Sequence, residues 1–132
     1  MMTRLGRTVL ATALLCVTTF ASGADFDGSR ALICATVDAD TCDPGKECLR
    51  NLPDDIGMPK FMRIDFAAKT IAGPKRTTQI RSLEQSDDQM LLQGIELGYA
   101  WSLALDKGDG SMSLTLVNRD EVYVVFGNCT PP

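Results

Sequence analysis

From Phe61 onward, apolar and polar residues alternate along most of the chain. Met62, Ile64 and Phe66 fall on one side, with Arg63 and Asp65 on the other; this is the period of a half-buried strand. Thr77 to Leu83 is a weaker strand with alternating polar residues. Tyr99, Trp101, Leu103 and Leu105 share a face opposite Ala100, Ser102 and Ala104. Met112, Leu114 and Leu116 do the same against Ser111, Ser113 and Thr115. Val122, Val124 and Phe126 make the last apolar set, an alternation that turns Tyr123 outward, where a partner can reach it. Arg30 to Val37 supplies a first strand, ending at Asp38-Ala39-Asp40.

The breaks are equally local. Ala72-Gly73-Pro74, Gln85-Ser86-Asp87-Asp88, Asp106-Lys107-Gly108-Asp109-Gly110 and Asn118-Arg119-Asp120 are turn compositions. Met90 to Leu97 is ambiguous, since Asp87-Asp88-Gln89 can also open a helix. Gly94 and Gly98 would each cost a helix about 1 kcal/mol relative to Ala, so a strand bent at glycine is expected. Residues 38–59 hold three of the six prolines and six acidic residues, and an irregular acidic loop is expected there. Within it, Lys46 to Leu52 has room for one or two helical turns stopped by Pro53.

The expected fold is therefore all-β, a small antiparallel meander of about seven strands. An open flat sheet would expose an apolar face and two bare edges, so it should close as a barrel or fold into a two-layer sandwich. Alternation is the same in both.

The beginning of the chain has a different character. Arg4 and Arg7 precede an uncharged apolar run over residues 8–20, and Ser22-Gly23-Ala24 offers small residues for cleavage. This pattern predicts a secretory signal over residues 1–24 and a single β domain over 25–132. The run is shorter than the roughly 20 residues that cross a bilayer, so no stable membrane insertion is expected after cleavage. Cys16 follows Leu15 rather than the small residue that lipidation requires. The expected location is periplasmic or secreted.

Export makes sense of the cysteines. Cys34, Cys42, Cys48 and Cys129 lie beyond the signal, and four cysteines allow three pairings. Asp43-Pro44-Gly45 is a turn that brings Cys42 to Cys48, which leaves Cys34 for Cys129. That second bridge would lay the first strand beside the last and favours the barrel.

Charge and residue types narrow the chemistry. Residues 25–132 carry 11 basic and 17 acidic side chains, a formal charge of −6, which argues against nucleic acid and fits a cationic partner. The chain has no His, and with no nucleophile–base arrangement visible no catalytic residue is assigned and an enzyme is not expected. Asp38, Asp40, Asp43 and Glu47 are calcium-like in type, but neither they nor Asp106 and Asp109 follow the EF-hand spacing. No metal or cofactor is assigned.

The residues left for recognition are Tyr99, Trp101 and Tyr123. A barrel of this size is expected to fill itself, with Trp101 in its core. The leading expectation is an exported protein-binding module, inhibitor-like toward a cationic partner. The alternative is a small-molecule or lipid carrier with a cavity around Trp101. In outline the chain resembles the small periplasmic barrel inhibitors of C-type lysozyme: a signal, roughly 100 residues, acidic charge and a disulfide. Their Ser-Gly-Ser-Gly loop followed by Tyr has no counterpart, since Gly94 to Tyr99 contains no Ser. The resemblance is one of architecture and assigns no residue a role.

Overall fold

The computed structural model describes residues 26–132; the expected signal over 1–24, Cys16 included, lies outside the described residues. The strands are β1 (Leu32–Cys42), β2 (Leu49–Asn51), β3 (Phe61–Asp65), β4 (Thr70–Ala72), β5 (Thr77–Gln79), β6 (Ser82–Gln85), β7 (Gln89–Glu96), β8 (Tyr99–Asp106), β9 (Ser111–Val117) and β10 (Val122–Thr130), with a single 3-10 turn at Pro53–Ile56. All pairings are antiparallel, and the sheet runs β5-β4-β3-β1-β10-β9-β8-β7-β6, with β2 pairing on β1.

The sheet curls into a half-barrel. Its two terminal strands, β5 and β6, belong to one stretch of chain and are separated only by Ile80 and Arg81. Arg81 donates its N–H to the Gln93 carbonyl at 2.8 Å, while Ile80 donates to Lys69 at 2.8 Å. The same segment therefore bonds to both sides of the sheet. The strand expected over Thr77 to Leu83 is this segment, broken in the middle.

Inward residues form three rows across the long strands. Met90, Leu105, Met112, Gly127 and Thr36 are paired in the lowest row; Leu92, Leu103, Leu114, Val125 and Ala39 in the next. Apart from Thr36, which is half-buried, these side chains are buried. The third row is Gly94, Trp101, Leu116, Tyr123 and Thr41. Phe26 packs against the lower end, beside Gly110.

Strand lengths are unequal. β1 and β7 to β10 have 7 to 11 residues, but β3 to β6 have only 3 to 5. The short side meets the third row only at β5, where Thr78 and Gln79 approach Trp101 and Gly94. The segments around residues 53–60 and 73–76 stand along the rest of it.

Both disulfides pair as expected, Cys34 with Cys129 and Cys42 with Cys48. Cys34 and Cys129 are direct cross-strand partners, so β1 lies beside β10. Two bridges place the folded chain in a compartment that oxidises thiols. No helix of the described residues is long and apolar enough to cross a membrane.

Four local expectations need correction. β1 does not end at Asp38: it continues to Cys42 through an irregularity in register between Thr36 and Asp38, and that extra residue turns Ala39 inward. Asp38 stays on the outside, its carboxylate taken by Arg50 of β2. Lys46 to Leu52 forms no helical turn; Leu49–Asn51 pairs with β1, and the one helical turn begins at Pro53. Within residues 38–59, strand pairing is confined to 38–42 and 49–51. A further short strand, β4, raises the count beyond seven. The phase of β10 is opposite to that expected: Tyr123, Val125, Gly127 and Cys129 face inward, and Phe126 is 41% exposed. Cys129 must point inward to reach Cys34, and a period of two carries that direction back to Tyr123.

The packing of the closed end can be tested at two places. Replacing Cys34 and Cys129 together by Ala removes a bridge with a sequence separation of 95, and chemical denaturation is expected to show a loss of about 2–5 kcal/mol; an unchanged midpoint would refute that. Gly110 has φ 76°, and a Cβ there would sit 2.5 Å from the Cys129 carbonyl oxygen and from the Phe26 ring. Gly110→Ala is expected to destabilise by roughly 1–3 kcal/mol. Gly108→Ala meets only the end of the Asp106 side chain and should melt close to the parent, so equal losses at the two positions would contradict the assignment.

Candidate ligand-binding cavity

The third inward row is where side-chain chemistry and open space coincide. Trp101 faces Gly94 across β7 and β8. A Cβ on Gly94 would collide with the indole and would lie 2.6 Å from the Gln79 carbonyl oxygen. Glycine is required there by close approach rather than by backbone angle. The indole Nε1–H donates to Thr78 Oγ1 at 3.3 Å, so Trp101 ties β8 to β5 over the bare backbone of β7. It is 5% exposed.

Beside the indole is a cavity of about 900 Å³, open at one end. Trp101, Leu114, Leu116 and Tyr123 line it on the long-strand side, with Met62 and Ile71 opposite. The lining also takes in Ile33, Phe61, Arg63 and Ala72, which alternate to the outer face of β1, β3 and β4. The space thus runs past the short strands to water. Trp101 both fills core and walls a cavity, and the barrel does not fill its own interior as its size led one to expect.

Two lining residues, Tyr99 and Tyr123, share a carboxylate that lies outside the lining. Glu121 accepts the Tyr99 hydroxyl at 3.1 Å through Oε1 and the Tyr123 hydroxyl through Oε2. The two rings lie 6.0 Å apart and tilted by 45°. Hydrogen bonding to Glu121 pushes the Tyr123 phenol well above its ordinary pKa, reinforced by burial and by the carboxylate charge. Tyr99 moves the same way, chiefly through desolvation and then through Glu121. Glu121 itself is held by the Asn118 turn, donating its N–H to Asn118 Oδ1 at 2.9 Å.

All three aromatic residues named from the sequence, Tyr99, Trp101 and Tyr123, line this one cavity. Tyr123 reaches it because the phase of β10 is reversed. Four of the six carboxylates weighed as calcium ligands have other partners. Asp38 meets Arg50, and Asp43 meets Lys46 at 3.4 Å. Asp106 accepts the Gly108 N–H at 2.7 Å, and Asp109 accepts that of Ser111 at 2.8 Å. The Ser111 N–H holds Asp109 below the usual carboxylate range. Asp106 and Asp109 cap turns. Glu121, Gly94 and the basic residues of the rim were not legible as site residues, because alternation reports which face a side chain takes and not which strands stop short.

The chain has two tyrosines, and both belong to this cluster, so alkaline titration reads the site directly. A folded-state pKa above the ordinary 10.0 favours the neutral phenol, so its stabilisation is complete below pH 10 and is lost as pH rises from there toward the folded value. Tyrosinate absorbance of the folded protein is expected to appear only above that ordinary value, and Glu121→Gln should lower both transitions. Normal titration of both tyrosines in the folded protein would contradict the cluster. Gly94→Ala should expel the indole, shifting Trp101 emission to the red and costing roughly 1–3 kcal/mol; unchanged emission would refute the contact.

No protein-family model, no curated protein and no solved structure matches the chain, and its function has to be inferred from the fold and the cavity.

Proposed function

We propose that the chain is an exported binding protein, periplasmic or secreted, that carries an apolar small molecule in the cavity around Trp101. The observation that carries this reading is the cavity itself. Its volume of about 900 Å³ falls within the roughly 300–1,000 Å³ typical of small-molecule sites. Its walls are Trp101, Leu114, Leu116, Met62 and Ile71, and its lining includes Tyr99 and Tyr123, whose hydroxyls are held from behind by Glu121. That mixture, apolar walls with few convergent polar groups, is how a site holds and orients a ligand. Binding without transformation is the reading adopted, since the chain has no His and the carboxylate nearest the cavity tyrosines, Glu121, is taken by their hydroxyls.

The carrier reading is preferred over a module that docks on a cationic protein. The latter rests on net charge alone, whereas the former has a shaped site. Nucleic acid is not proposed as a partner, because the chain is acidic.

Trp101 is the chain's one tryptophan and lies in the cavity wall, so it is a built-in reporter. Titration with the neutral dye N-phenyl-1-naphthylamine is expected to give saturable energy transfer from Trp101. Addition of lysozyme, a cationic protein, should leave its emission unchanged. Folded protein that gives no saturable transfer to the dye, or that responds to lysozyme instead, would overturn the carrier reading.

A further inference from the structure

The cavity rim has a charge opposite in sign to the chain that builds it. The full sequence has a formal charge of −4, yet the lining holds Lys60, Arg63, Lys75 and Arg76 against Asp54 and Glu96. Topology gathers these cations. Arg63 is the cross-strand partner of Ala72, and Ala72 leads directly into the β4–β5 turn that bears Lys75 and Arg76. That turn is closed by the Gly73 N–H donating to the Arg76 carbonyl at 2.8 Å.

The acids do not cancel the set. Lys60 Nζ meets Asp54 Oδ2 at 3.4 Å and Arg76 Nε meets Glu96 Oε1 at 3.5 Å, both pairs with one or both partners substantially exposed. Such pairs are weak and open to competition from another anion. Arg63 and Lys75 have no ion-pair partner among the described residues. The nearby Glu121 carboxylate is already shared between two tyrosine hydroxyls.

A wholly apolar ligand would gain nothing from a cationic rim. A ligand with one anionic end gains without having to bury its charge. Its chain leaves water along the apolar wall, and its head stays at the wet rim beside cations that low-dielectric walls make more effective. We infer that the occupant is a single-chain amphiphile with an anionic carboxylate or phosphate head. The chain lies along Trp101 and Leu116, and the head sits among Arg63, Lys75 and Arg76. This inference rests on the carrier reading and specifies its ligand class.

The test is displacement of N-phenyl-1-naphthylamine by four ligands of equal chain length: dodecanoate, dodecyl phosphate, dodecanol and dodecyltrimethylammonium. The two anions are expected to displace the dye at concentrations about fivefold below the alcohol, with the cation weakest, since exposed charge pairs of this kind supply effects of that order. Which anion is better distinguishes a carboxylate ligand from a phosphate one, and either ranking supports the inference. Lys75→Glu, a change at an exposed turn position, is expected to reduce the advantage of the anions over the alcohol to less than about twofold. Equal displacement by anions and alcohol overturns the charge assignment and leaves the carrier reading intact. Failure of the dye itself to bind overturns the carrier reading. An anion preference that survives in Lys75→Glu and also in Arg63→Glu overturns the placement of the head.

Discussion

The indole of Trp101 lies against a strand that has no side chain to keep it away. Gly94 offers bare backbone, Gln79 approaches the same point from β5, and Thr78 takes the indole N–H. Three strands, β5, β7 and β8, are held by one side chain. A methyl group at Gly94 would push the indole out and β5 away from β7 together. The position of the cavity wall depends on this contact, because Leu116 and Tyr123 lie in the same inward row as Trp101.

The two ends of the barrel differ because its strands differ in length. At the lower end, two complete rows of inward side chains are capped by Phe26, and the Cys34–Cys129 bridge ties the first strand to the last. Little there is free to move, and Cys129 donates its N–H to the Gly110 carbonyl at 2.7 Å. At the upper end, β7 to β10 and β1 extend past their short neighbours, and a cavity lies between their inward surface and Met62 and Ile71. Space and charge meet at that end. The turn that substitutes for the missing strand length also brings Lys75 and Arg76, and β3 brings Arg63. The cavity and its cationic rim therefore share one cause, the brevity of β3, β4 and β5.

Much of the frame was legible from period-two alternation. The inward faces of β3, β8 and β9 were identified residue by residue, as was the pairing of all four cysteines. Where the reading failed, a tertiary constraint outweighed a local one. Val122, Val124 and Phe126 look like a buried set, but the bridge at Cys129 sets the phase of β10 and turns them the other way. Asp38 and Asp40 look like a strand end until Arg50 arrives from β2 to pair with Asp38. Lys46 to Leu52 has the composition of a helical turn, yet the edge of β1 offers Leu49–Asn51 hydrogen bonds that a short helix cannot match. The three aromatic candidates were identified because large side chains with polar tips are scarce in this sequence. Glu121 and the rim cations were not, since their role depends on where strands end.

The most direct test of the central claim, that the upper end of the barrel holds the apolar chain of an anionic amphiphile, is methyl-selective NMR of the protein with dodecanoate. Intermolecular NOEs from the dodecanoate chain to the methyl groups of Ile71, Leu114 and Leu116 are expected, together with a shift of the Trp101 indole N–H. NOEs confined to outward methyl groups such as those of Leu91 and Val117, or an absence of NOEs at saturating dodecanoate, would contradict the account.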